Sequence, residues 1–176
     1  MDPAVDLAVR GGLATLWVAA AAHKAVDLGR FRATLAAYAV LPAPLVGPAT
    51  VLVPGVELAT AACLVVARAA GLVATAALLL AYAGALAVNL VRGRRDLDCG
   101  CLGTAGRERI SWALVARNLV LAGVAAASAG PPAARAWTWV DGLTVGGAVA
   151  TGAALYLASD GLHANRPGVA RIREAA

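Results

Sequence analysis

The sequence has few charged residues, few aromatic residues and few groups that can do chemistry. Only 14% of its 176 residues are charged and 5% are aromatic, with a single Phe and a single Met. Soluble globular domains carry about 25% charged residues, so this composition excludes an ordinary soluble domain. Hydrophobic residues make up 61% of the chain, and it is rich in Ala, Leu, Val and Gly. Small residues such as Ala and Gly let helices pack closely in lipid.

The scarcity of metal-ligating residues and the distribution of charge exclude two further classes. The chain has three Cys and two His, whereas a closed zinc site needs four ligands, so we predict no metal site of that kind. The net charge is +5, but the arginines flank apolar segments and no long basic block is interleaved with aromatics. We therefore expect no nucleic-acid partner.

Long apolar segments predict an all-α, polytopic membrane bundle with four core transmembrane helices and a fifth, C-terminal one. A helix needs about 20 mostly apolar residues to cross a bilayer, and open strands cannot cross lipid. The predicted spans are about 5–26, 46–67, 70–91, 110–129 and 137–158. The first contains Asp6 and Arg10, which can pair on one helix face. The lipid bilayer is therefore the first expected partner.

The segments between the spans complete the predicted organisation. Residues 27–45 have apolar residues at helical spacing and then reach Pro42 and Pro44, which predicts an amphipathic interfacial helix ending there. We expect residues 1–130 to form the bundle, with a loop at 92–109. An additional transmembrane helix then occupies 131–158, and 159–176 forms a basic tail.

The basic residues predict the orientation in the membrane. Arg10, Arg68 and Arg135 lie on one predicted face, and the remaining basic residues lie on the other. By the positive-inside rule, the 92–109 loop faces the cytoplasm of a bacterial inner membrane, and the N-terminus lies outside.

The 92–109 loop contains the main candidate for chemistry, Cys99 and Cys101, which are separated only by Gly100. Gly100 allows a tight bend, and the small ring closed by a disulfide would be strained and easily reduced. Redox exchange is the favoured interpretation. The alternatives are soft-metal binding by two thiolates and incidental loop cysteines. Cys63, inside the second span, is interpreted as a packing residue.

A second candidate is the group of polar residues within the spans. Glu57, Arg117 and Asn118 are costly in lipid unless paired. Glu57 and Arg117 are predicted to lie at similar depths in the membrane, which predicts an ion pair between them. Asn89 or Asn118 is expected to form hydrogen bonds with the remaining polar atoms of this pair. His23 could serve as a base for a thiol, although interface anchoring is the commoner role. Lys24 is expected to extend to the interface.

Several of these residues resemble the MauE family of methylamine-utilisation membrane proteins, which are related to the DoxX-like helical bundles. The shared features are His23-Lys24, the stretch YAVLP ending at Pro42, Glu57, the loop RGRRDLDCGCLG and Arg117-Asn118. The resemblance covers about residues 5–130. Family members commonly have Phe at the position of Leu102.

The resemblance implies a helical membrane protein that supports maturation of methylamine dehydrogenase, whose small subunit is rich in disulfides. It also implies a thioredoxin-like partner, with Cys99 and Cys101 as the redox pair. The chain would then be a thiol–disulfide oxidoreductase, with metal handling and non-catalytic assembly as alternatives. No cofactor is called for, although a quinone is left open. Disulfide formation on an exported enzyme requires a cysteine pair that faces outside the cell membrane. The arginine distribution predicts instead that this loop faces the cytoplasm, so the two expectations conflict.

Overall fold

The chain forms a bundle of helices, as the apolar segments predict. The computed structural model describes residues 1–97, 109–152 and 154. Its helices are α1 (Pro3–Val26), α2 (Leu28–Tyr38), α3 (Ala43–Val66), α4 (Arg68–Val91) and α5 (Trp112–Ala127), followed by a helical stretch over 139–152.

Three helices, α1, α3 and α4, are long and apolar enough to cross a membrane. Apolar α5 is shorter, with 16 residues, and the predicted fifth span runs beyond the described residues. The all-helical class is therefore confirmed, whereas the predicted number of spans stays a prediction.

Local sequence signals set the helix ends. The side chain of Asp2 accepts a hydrogen bond from the Ala4 amide at the start of α1, and Asp27 caps α2 in the same way through the Arg30 amide. Helix α2 ends at Tyr38, and its C-cap residue Ala39 has a left-handed φ of 49°. Pro42 follows. The helix expected within 27–45 is therefore present, and its place at the membrane interface stays a prediction.

Each helix of the bundle packs mainly against particular neighbouring helices. Helix α1 packs on α3, α3 on α4 and α4 on α5, while α2 lies mainly against α3. The central core includes Leu13, Trp17, Leu64, Leu72 and Leu79. Trp17 also donates from its indole nitrogen to the Thr75 hydroxyl at 3.1 Å, which ties α1 to α4.

The bundle has two polar ends. We call the end where α1 and α4 finish the loop end, because the 92–109 loop joins α4 to α5 there. At the opposite, far end, Asp6 pairs with Arg10 at 3.2 Å, as predicted from their spacing, and also with Arg68 at 2.8 Å. Arg68 donates to the carbonyls of Ser128 and Gly130, both at 2.6 Å. One arginine therefore ties together α1, α4 and the end of α5.

A second arginine contacts the N-terminal residues at this far end. Arg135 pairs with Asp2 at 2.7 Å, and the Ala133 amide donates to the Met1 carbonyl at 2.7 Å. The hydrogen bonds from Arg135 and then from the Ala4 amide hold the pKa of the Asp2 carboxyl below its usual value. The segment after α5 is thereby fixed beside the start of α1.

Candidate functional site

A buried charged cluster lies between three helices towards the loop end. Glu57 of α3 is fully buried, and its Oε1 accepts hydrogen bonds from Lys24 Nζ of α1 at 2.7 Å and from the Tyr82 hydroxyl of α4 at 2.6 Å. Lys24 is only 4% exposed. A carboxylate removed from water needs such partners because an isolated buried charge is very costly. We call these three residues the Glu57 cluster.

The predicted Glu57–Arg117 pair is wrong, because Glu57 pairs with Lys24 and its second oxygen, Oε2, has no hydrogen-bond partner among the described residues. The physical reason is helix order: α5, which carries Arg117, packs on α4, whereas α1 packs directly on α3. Similar depth in the membrane does not bring two side chains together when another helix separates them.

Lys24 was expected at the interface, but it belongs to the packed face of α1. Leu13, Trp17, Ala20 and Lys24 are all buried and recur at a helical spacing of three or four residues. That spacing is the sequence signal by which Lys24 could have been assigned to the bundle interior.

Tyr82 was missed by the sequence analysis, although a signal for it exists. Thr75, Tyr82 and Asn89 recur every seven residues in an otherwise apolar α4, so they share one helix face. The ring of Tyr82 also packs edge-on against Trp17, with centroids 6.0 Å apart. This polar stripe indicates the face of α4 that is turned towards α1 and α3.

The other predicted polar residues lie apart from the Glu57 cluster. Asn89 is fully buried and donates to the Ala85 carbonyl at 3.0 Å. Asn118 is 4% exposed, and its Nδ2 has no partner in the described part of the chain. Neither amide bonds to Glu57, so the prediction that they complete its contacts is wrong. His23 is half-buried beside Lys24, and its role as a base stays a prediction.

The cysteine loop is described only at its two ends. Cys99 and Cys101 lie outside the described residues. At the base of the loop, the Ile110 amide donates to the Leu97 carbonyl at 3.1 Å, so the chain leaves and re-enters the bundle at one point. Arg94 donates to the Tyr38 carbonyl at 3.4 Å, which ties this base to the end of α2. Cys63 is a free, half-buried thiol near the end of α3.

An apolar cavity of about 220 Å³ lies between α2, α3 and α4, beside the Glu57 cluster. Its lining includes Lys24, Phe31, Leu35, Tyr38, Tyr82 and Leu86. Lys24 Nζ lies 5.6 Å from the centroid of the Phe31 ring and 5.8 Å from that of Tyr82. The cavity is therefore almost wholly apolar, and Lys24 and Tyr82 of the Glu57 cluster are among the residues that line it.

The sequence comparisons match the part of the chain that contains these helices. The family model of "Methylamine utilisation protein MauE" matches residues 2–131, which include helices α1 to α5 and the cysteine loop. The chain belongs to the MauE family. The MauE protein of Paracoccus denitrificans is 41% identical over 162 residues, covering 90% of this chain and 87% of the relative.

Two further MauE proteins are similar over shorter regions. That of Paracoccus versutus is 36% identical over 76% of this chain and 74% of its own length. That of Methylophilus methylotrophus is 37% identical over 70% of this chain and 66% of its own length. No solved structure matches the chain. The resemblance to MauE is therefore confirmed, and the Glu57 cluster lies within the matched region.

Proposed function

We propose that this member of the MauE family is a membrane thiol–disulfide exchange protein that uses Cys99 and Cys101 as its redox pair. The observation that carries the proposal is the Cys-Gly-Cys sequence in a short loop whose base is closed by the bond between Ile110 and Leu97. Two thiols one residue apart have a high effective concentration for each other through chain connectivity alone. The small ring that their disulfide closes is strained, so the disulfide would be easily reduced, as a working redox pair requires.

The exchange proceeds through a mixed disulfide. A partner thiolate attacks one sulfur of the Cys99–Cys101 disulfide and displaces the other sulfur as a thiolate. A second partner thiolate then attacks the mixed disulfide, so the partner is oxidised to a disulfide and the loop is reduced to two thiols. The opposite direction uses the same steps in reverse. Protons removed from the partner thiols are taken up by the displaced thiolates or by water.

The biological setting is part of the same proposal. The relatives are named methylamine utilisation proteins, and the proposed role is support of disulfide formation in methylamine dehydrogenase together with a thioredoxin-like protein. The basic residues on the loop side favour a bacterial inner-membrane protein with a cytoplasmic loop. In this layout residues 1–130 form the bundle, 131–158 add a transmembrane helix and 159–176 form a basic tail.

We expect the two loop thiols to form an intramolecular disulfide that millimolar glutathione reduces readily. Membranes quenched with acid, alkylated differentially and analysed by mass spectrometry would measure this. With Cys101→Ser, the remaining Cys99 thiolate should attack the active-site disulfide of an oxidised thioredoxin-like protein and trap it as a mixed disulfide, with the displaced partner thiol blocked by alkylation. Cys63→Ala is the matched control and should leave both results unchanged, because Cys63 lies within α3.

A membrane-impermeant maleimide extends this experiment to orientation. It should label the reduced loop in inverted vesicles and leave it unlabelled in intact spheroplasts. Loop thiols that stay reduced under oxidising conditions and trap no partner would contradict the redox function. Protection of both thiols by Cu(I) would instead indicate metal handling, and full biological activity of the Cys99→Ser/Cys101→Ser variant would indicate a non-catalytic assembly role.

A further inference from the structure

The cavity beside the Glu57 cluster has the features of a small ligand site. Its lining is mostly aliphatic and aromatic, which suits a ligand that arrives from the lipid phase. Val40 and Leu41, also in its lining, are 46% and 37% exposed, so they form a rim through which a ligand can enter. A volume of about 220 Å³ is smaller than the roughly 300–1,000 Å³ of sites for drug-sized molecules. A cavity of this volume can hold a single ring, and any hydrocarbon chain attached to that ring would remain outside the cavity.

Lys24 supplies hydrogen-bond donor capacity to this cavity. An ammonium group has three N–H donors. Lys24 Nζ donates to Glu57 Oε1 at 2.7 Å and to the Ala20 carbonyl at 3.3 Å. Its third N–H has no oxygen acceptor among the described residues and has the Phe31 and Tyr82 rings nearby. Because Lys24 is 4% exposed and lines the cavity, a ligand acceptor atom is the partner that this donor would find there.

The charge balance of the cluster selects a neutral ligand. The ammonium of Lys24 is already neutralised by the carboxylate of Glu57, and both residues are buried. An anionic ligand would bring a second negative charge into this apolar region, which is costly without another cation. A carbonyl oxygen accepts a hydrogen bond without adding charge.

The aromatic rings favour a planar ligand. Phe31, Tyr38 and Tyr82 all line the cavity, and aromatic side chains pack favourably against other rings through offset or edge-on contacts. We propose that this cavity binds the ring of a lipid-soluble quinone, with one quinone carbonyl accepting a hydrogen bond from Lys24 Nζ. Occupancy of the cavity does not depend on the loop thiols, so it stands apart from the thiol–disulfide function proposed above.

Binding can be measured by quenching of Trp17 fluorescence, because Trp17 packs against Tyr82. The full chain, with Trp112, Trp137 and Trp139 changed to Phe, would be placed in phosphatidylcholine nanodiscs and titrated with decylubiquinone. We expect saturable quenching above the linear background from quinone dissolved in the lipid. Purely linear quenching of this protein would overturn the proposal.

Two matched variants on α4 locate the site. Ala85 lines the cavity, whereas Ala81, one turn earlier, is exposed and is absent from the lining. Ala85→Phe should weaken saturable binding at least tenfold by filling the cavity, and Ala81→Phe should leave it unchanged. Thermal unfolding of both variants would verify that they fold. Equal binding by the two folded variants would show that the quinone binds elsewhere.

The double variant Lys24→Met/Glu57→Gln tests the hydrogen bond without leaving a buried charge, and should also weaken binding at least tenfold. It provides a second test if Ala85→Phe does not fold. Oleate should compete at least tenfold more weakly than a second short-chain quinone. Unchanged quinone binding by the double variant, or stronger competition by oleate, would overturn the assignment and indicate a site for lipid chains.

Discussion

Replacing Lys24 by methionine is expected to destabilise the bundle by about 3–5 kcal/mol, because it leaves Glu57 buried without its counter-ion. Glu57→Met should have a comparable effect, since it leaves the Lys24 ammonium unpaired and removes the acceptor of the Tyr82 hydroxyl. Folded yield in membranes and the midpoint of thermal unfolding in detergent would measure both losses.

The double variant Lys24→Met/Glu57→Gln should recover much of this loss. It removes both charges together, and the amide oxygen introduced at position 57 can still accept a hydrogen bond from Tyr82. Arg117→Met is the matched control, because Arg117 is half-buried and forms no ion pair among the described residues. We expect it to stay close to the parent. A large loss from Arg117→Met with little loss from Lys24→Met would restore the pairing predicted from depth and contradict the Glu57 cluster.

Much of the helical architecture is predictable from composition, because lipid imposes a simple requirement on the backbone. A segment that crosses a bilayer must satisfy its own hydrogen bonds and present apolar side chains. The predicted span at 70–91 accordingly corresponds to α4 (Arg68–Val91), and 46–67 corresponds to α3 (Ala43–Val66). The differences of a few residues arise at ends set by caps and prolines, whose effects hydropathy does not include.

The partner of Glu57 was not predictable from depth alone, because two side chains meet only when their helices are neighbours. Hydropathy gives the length of each helix but not which helices pack together. Lys24 looked like an interfacial residue because it lies near the end of α1. Its helical spacing from Trp17 carried the correct information, since residues at that spacing lie on the same face of a helix and are buried together.

Gly71 is expected to be the most sensitive glycine among the described residues, and Gly71→Ala should destabilise the bundle by about 3 kcal/mol or more. Only Ala67 separates α3 from α4, so the two helix backbones approach closely. A Cβ atom at position 71 would lie 2.4 Å from Leu64 N and 2.6 Å from Leu64 Cα. These are backbone atoms, which cannot rotate away, so the two helices would have to separate.

Gly84→Ala provides the control within the same helix, because a Cβ atom there meets nothing within 4 Å. It should leave stability unchanged or raise it slightly, since glycine is a weaker helix former than alanine. At roughly 2–4 °C per kcal/mol for a chain of this size, Gly71→Ala should lower the unfolding midpoint by about 6–12 °C or more. Similar midpoints for the two variants would mean that α3 and α4 do not approach at this glycine, and the tight connection through Ala67 would then be incorrect.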